Sequence, residues 1–132
     1  MAAAGGRGLA SHRDREVAGV KTRPRRGDVY WVALDPTLGS EIRKTRPAVI
    51  VSNDSCNAYG SRVVVLPLTS NTSSVYPGEA LVHFRGRAAR ALGDQMRSID
   101  KARLRSRISA LSREDLSEVE TALRITLALE PT

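Results

Sequence analysis

Arg46-Pro47-Ala48-Val49-Ile50-Val51-Ser52-Asn53-Asp54 sets a cation and a proline ahead of an apolar, β-branched run that closes on turn-forming residues. The run reads as a buried strand. Proline fixes its own φ and biases Arg46 toward an extended conformation, so a guanidinium is delivered to the mouth of a strand on a stiff segment. The planar fork of a guanidinium matches phosphate oxygens two at a time and stays charged at physiological pH. Taken alone, such an arginine is more often an edge-strand residue in a surface ion pair.

The stretch Arg62-Val63-Val64-Val65-Leu66-Pro67-Leu68-Thr69-Ser70-Asn71 supplies a second β-branched strand. It places Thr69 at a strand end beside a hydroxyl-rich turn, where functional groups are displayed. From Asp94 to Lys101 polar and apolar residues alternate at strand period, with Met96, Ser98 and Asp100 on one face and Gln95, Arg97 and Ile99 on the other. Upstream, Gly27 to Pro36 reads as a strand bounded by turn residues, followed by a loop carrying Gly39, Ser40, Glu41, Arg43 and Lys44.

Leu81-Val82-His83-Phe84 is strand-like, Lys101 to Arg105 reads as a turn or single helical turn, and Ser106 to Leu111 as a last short strand. Val75 to Glu79 and Arg85 to Arg90 read as loops, either rimming a binding groove or plain solvent-facing turns. Helix rules are clearest at the C-terminus: Ser112 is the N-cap, acids fill the first turn, and Leu116, Val119, Leu123 and Leu127 form a stripe that packs on the sheet. Glu114, Asp115, Glu118 and Glu120 suit the dipole of a helix start and read as its solvated face.

The chain has 132 residues, a single-domain length, and a formal net charge of +7. That charge looks like a nucleic-acid signature until it is placed. Residues 1 to 26 carry +5, and the remaining residues, with fourteen basic and twelve acidic side chains, carry +2. The basicity therefore belongs mainly to residues 1–25, an Ala-, Gly- and Arg-rich arm expected to be disordered ahead of a domain spanning 26–130. A cationic arm that helps hold RNA, a non-functional extension and a start codon assigned too far upstream all fit it. No signal-peptide core or membrane span is visible, so the protein is expected to stay in the cytoplasm. The lone Cys56 agrees and reads as a packed or partly exposed thiol.

Two histidines, His12 in the arm and His83 in a strand, argue against a two-histidine nuclease. No His, Cys or acidic residues stand at metal-ligand spacing, so neither a metal nor another cofactor is expected. Tyr30, Trp31, Tyr59, Tyr76 and Phe84 form a thin inventory for base stacking, which Arg43, Lys44, Arg85, Arg87 and Arg97 extend.

In their order, Arg26-Gly27-Asp28-Val29-Tyr30, Gly39-Ser40-Glu41, Arg46-Pro47 with its strand, Pro67-Leu68-Thr69-Ser70, the Gln95 to Lys101 strand and a final helix reaching Leu129 resemble the MazF/PemK family of toxin endoribonucleases. The resemblance implies a mainly β fold with α: a small SH3-like barrel, of the kind MazF and CcdB toxins share, with a C-terminal helix, acting as a homodimer. It implies metal-independent, sequence-specific cleavage of single-stranded mRNA by the toxin of a type II toxin-antitoxin system, inhibiting translation and growth. Its catalytic pair falls on Arg46 and Thr69. Ser40, Glu41 and Gln95 match positions at or beside the substrate, and Arg43, Lys44, Ser70, Asn71 and Arg97 complete the expected RNA-contacting set. A cognate antitoxin, MazE-like and with an acidic extended segment, is the implied protein partner. Between Phe84 and Asp94 the chain departs from the family pattern, where relatives have a more apolar approach to the Gln-bearing strand.

Cleavage through the RNA's own 2′-hydroxyl needs a proton acceptor there, a proton donor for the leaving 5′-oxygen, and donors for the charge gathering on phosphorus. Arg46 and Thr69 supply donors. A guanidinium is a poor base, whereas the Glu41 carboxylate is a better one if its loop comes close, and the base stays open between the two. The rivals are a CcdB-like poison that binds DNA gyrase without cutting RNA, and an RNA-binding module that leaves RNA intact. The first needs no phosphate-directed Arg/Thr pair, and the second would bind RNA with a strong salt dependence.

Overall fold

The computed structural model describes residues 23–34 and 45–130; the arm to residue 22, residues 35–44 and the last two residues lie outside it. β-Branched runs and alternating segments give seven strands among the described residues: β1 (Asp28–Val32), β2 (Arg46–Ile50), β3 (Arg62–Thr69), β4 (Glu79–Phe84), β5 (Arg87–Leu92), β6 (Arg97–Asp100) and β7 (Leu104–Ala110). A short helix α1 (Asp54–Tyr59) joins β2 to β3, and α2 (Arg113–Leu127) follows β7. Every pairing is antiparallel, in the order β4-β5-β3-β2-β1-β7, with β6 also on β3.

The central strands carry apolar side chains on both faces because the sheet has a core on each side. Val29, Val49, Leu66, Leu68 and Val82 meet Val119 and Ala122 of α2. On the opposite face Tyr30, Val32, Ala48, Ile50, Val63 and Val65 close around Ile99. This is the mainly β small barrel, half closed and carrying a C-terminal helix, that the sequence implies.

One feature of β3 shapes everything functional. Its first half pairs with β6, from Arg62 opposite Asp100 to Val65 opposite Arg97, and its end pairs with β5, at Leu68 opposite Ala91 and Thr69 opposite Arg90. Leu66 and Pro67 fall between the two partners, and proline has no N–H to give to a ladder. The sheet splits at this point. A 3₁₀ turn, Gly93–Gln95, spans the split, and its first N–H donates to the Gly78 carbonyl at 3.1 Å.

Helix α2 begins where its cap predicts. Ser112 Oγ accepts from the Asp115 N–H at 3.1 Å. Replacing Ser112 with alanine is expected to lower unfolding free energy by about 1 kcal/mol, read as a denaturant midpoint shift at unchanged slope. Leu127 departs from the expected stripe: it is 45% exposed, and Ala122 takes the buried position instead.

Several other local expectations are corrected. Only Arg85 and Gly86 turn between β4 and β5, both at positive φ (51° and 73°), so the supposed Arg85 to Arg90 loop is a two-residue hairpin followed by strand. Asn53 does not end a turn but caps α1, its Oδ1 accepting from Cys56 N–H at 2.8 Å. The strand expected from Asp94 starts only at Arg97, because the 3₁₀ turn occupies Gly93–Gln95. Strand β7 starts at Leu104, earlier than expected, directly after the anticipated single turn at Lys101–Arg103. Two of the supposedly solvated acids are tied down: Asp115 accepts from the His83 N–H at 2.7 Å, and Glu120 lies 2.6 Å from Arg26 Nη1.

Candidate active site

Register decides which side chains meet. Ala48 on β2 lies opposite Pro67 on β3, and continuing that register by two residues sets Arg46 opposite Thr69. On the other edge of β3, Thr69 is paired with Arg90. Paired residues point to the same face, and strands lie about 4.8 Å apart, so Arg46, Thr69 and Arg90 form one row across three neighbouring strands.

A groove of about 600 Å³ opens over this row, in the split of the sheet. Leu34, Pro67, Leu68 and Leu92 supply its apolar surface, and Arg46, Thr69, Arg90, Gln95 and Arg97 its polar groups. Gln95 arrives there because the 3₁₀ turn swings the chain from β5 back to β3, and Arg97 because it opens β6 opposite Val65. Three guanidiniums, with no carboxylate among the described lining residues, make a field suited to a polyanion. Thr69 Oγ1 accepts from the Asn71 N–H at 3.3 Å, which leaves its own O–H free to donate.

Arg46, Thr69, Gln95 and Arg97, named from the sequence, are thus brought together. Ser70 turns the other way and, with Thr69, lines a second cavity of about 410 Å³ whose apolar wall includes Trp31, Phe84 and Ile108. Trp31 is 41% exposed there, with Arg85 and Arg87 at the rim. Asn71 shapes the turn itself, its Oδ1 accepting from the Ser73 N–H and hydroxyl at 3.2 and 2.9 Å. Ser40, Glu41, Arg43 and Lys44 lie outside the described residues, but Leu34 and Arg46, which flank that connection, both line the groove. His83 is spent on Asp115, with Nδ1 at 3.1 Å from the carboxylate.

Arg90 was not singled out from the sequence, because it sat inside a stretch read as a loop that could rim a groove. The signal available was Ala89 and Ala91 flanking it at strand period, small residues that in fact pack into the helix-side core.

A family model described as the PemK-like, MazF-like toxin of type II toxin-antitoxin systems matches residues 25–127. Endoribonuclease MazF9 of Mycobacterium tuberculosis is 39% identical over 114 residues, covering 80% of this chain and 97% of the relative. Among solved structures, MazF of Deinococcus radiodurans superposes with a TM-score of 0.66 at 27% identity, covering 80% of this chain and 96% of its own. A mycobacterial endoribonuclease solved in complex with its cognate antitoxin superposes with a TM-score of 0.70 at 24% identity, over 83% of this chain and 99% of its own.

Proposed function

We propose, for a chain that belongs to the PemK-like, MazF-like toxin family of type II toxin-antitoxin systems, that the groove over Thr69 is where it cuts single-stranded RNA. The protein is an endoribonuclease toxin, in keeping with its 39% identical relative. The family and that relative favour this reading over the gyrase-binding and non-catalytic alternatives. The observation that carries the site assignment is the register that sets Arg46 opposite Thr69 across one cationic groove.

The chemistry follows from what those groups offer. The 2′-oxygen attacks phosphorus, its proton leaves to a base, the P–O5′ bond breaks, and the 5′-oxygen takes up a proton. The products are a 2′,3′-cyclic phosphate and a 5′-hydroxyl. Arg46 and the Thr69 hydroxyl donate to the phosphoryl oxygens as their charge grows, and a site already holding such donors needs no reorganisation at that moment. Arg97 and Gln95 hold the adjoining strand of substrate. Among the described lining residues there is neither a carboxylate nor an imidazole, so the base comes either from Glu41, in the connection whose ends border the groove, or from Arg46 itself. The second cavity seats a neighbouring base against Trp31, since aromatic faces stack any base.

The same field suits the partners the resemblance implies. An antitoxin with an acidic extended segment would lie across Arg46, Arg90 and Arg97 in place of RNA, and a homodimer would double the groove. No helix among the described residues is long and apolar enough to cross a membrane. The cytoplasm, where mRNA is found, is the proposed place of action.

The test is incubation of the purified protein with a long single-stranded RNA in EDTA, beside Thr69→Ala, with the new ends mapped by primer extension. Discrete cuts ending in cyclic phosphate, slowed at least about 10²-fold in the variant, are the expected result. RNA left intact by wild type that still arrests growth would overturn the nuclease reading, and cuts that vanish with EDTA would overturn its metal independence.

A further inference from the structure

We propose that Arg90 is a second phosphate-directed guanidinium of this active site, holding the scissile phosphate from the wall opposite Arg46; the inference rests on the nuclease reading of the groove. Arg90 is paired with Thr69 across β5 and β3, lies on the same face, and lines the same groove. Thr69 therefore sits between two arginines, one on each neighbouring strand.

The two arginines differ in how they are held. Arg46 is exposed. The Arg90 side chain is 16% exposed, its Nη1 donating to the Ser74 carbonyl at 2.6 Å. Its buried Nε is ion-paired with Glu79 Oε1 at 3.6 Å, too far for a hydrogen bond. The pair with Glu79 balances the charge without filling the fork, and the Nη donors not given to Ser74 are left for an anion in the groove that Arg90 lines. In a groove over a hydroxyl that is itself free to donate, a phosphoryl oxygen is the anion that fits. Glu79 is committed elsewhere as well, its Oε1 accepting from the Tyr76 N–H at 3.0 Å.

A purely structural reading makes Arg90 a brace that pins the chain between β3 and β4 through Ser74 and Glu79. The two readings part in their kinetics. Arg90→Gln is expected to lower kcat/KM on single-stranded RNA by about 10²-fold, with Arg90→Lys recovering about threefold of that by keeping the charge without the planar fork. On RNA made 2′-deoxy at the mapped cleavage site, which binds without reacting, Arg90→Gln is expected to reduce the slope of log affinity against log salt by about 0.7, the loss of one phosphate contact to a single strand. Glu79→Gln, which keeps the acceptor for Tyr76 but loses the ion pair, is expected to slow cleavage less than about tenfold, well short of Arg90→Gln.

An unchanged salt slope, or a Glu79→Gln variant as slow as Arg90→Gln, would make Arg90 a brace and overturn the assignment. If Arg90→Gln does not fold, Arg90→Lys carries the test: a rate at least tenfold below wild type with the wild-type salt slope supports the contact, and a wild-type rate refutes it. Wild-type protein that cuts no RNA sinks the nuclease reading itself. Wild type that cuts beside an equally active Arg90→Gln sinks only this inference.

Discussion

Arg46→Ala is expected to slow single-turnover RNA cleavage by roughly 10³-fold or more, the range seen where a phosphate-aimed arginine is removed. Stability is expected to move by less than about 0.5 kcal/mol, because Arg46 is exposed at the start of β2 and contributes nothing to either core. The separation of the two effects is the point of the experiment. Arg46→Lys is expected to recover little, since an ammonium supplies a point charge without the planar fork. The strand behind Arg46 does not need the arginine: Pro47 still presets the backbone, and Ala48, Val49 and Ile50 are fully buried. A loss below about tenfold, with the fold intact by thermal melting, would move the phosphate to another cation of the groove, and among the described residues Arg90 and Arg97 are the ones within it.

The parts of the site legible in the sequence are those fixed by local chemistry. The Arg46-Pro47 step, the strand end at Thr69 and the Ser112 cap each depend on a few adjacent residues, and each appears where its residues place it. What stayed hidden depends on partners distant in sequence. That β3 would change neighbours between Val65 and Leu68, and so open a groove, follows from pairing with β5 and β6, although Pro67 marks the spot. Arg90 was obscured because alanines around it carry no strand propensity of their own; their burial against α2 makes the segment a strand. One buried polar residue was equally invisible. Asn57 is fully buried on α1, its Nδ2 donating to the Ser52 carbonyl at 2.9 Å, a role its exposed neighbours Asp54 and Cys56 give no hint of. Acids at the start of α2 fit a helix dipole whether or not they reach the sheet, so the Asp115 bond to His83 and the Glu120 pair with Arg26 had no sequence signature.

The second large effect lies away from the arginines, at Gly93. A Cβ built there would meet the Gly78 carbonyl oxygen at 2.2 Å and Thr126 Oγ1 at 2.7 Å. A threonine rotamer can turn aside, but a backbone carbonyl cannot. This one accepts from the Gly93 N–H at 3.1 Å, and Gly78 holds a φ of +90°, so its peptide has little room to rotate. Relief must come from parting the 3₁₀ turn from the Gly78 segment. Gly93→Ala is therefore expected to destabilise the protein by roughly 3 kcal/mol, enough to lower the melting temperature by about 10 °C or more. The same movement displaces Gln95, two residues on, from the wall of the groove. Cleavage at a temperature where the variant remains folded is thus expected to fall as well, mainly through KM. Gly86→Ala separates steric crowding from backbone strain: nothing lies within 4 Å of the added carbon, and its φ of +73° alone is at issue. A cost of about 1 kcal/mol with unchanged cleavage is expected there. Equal behaviour of the two variants would mean that the turn carrying Gln95 yields freely, and that the contact between Gly93 and Gly78 does not hold the groove in shape.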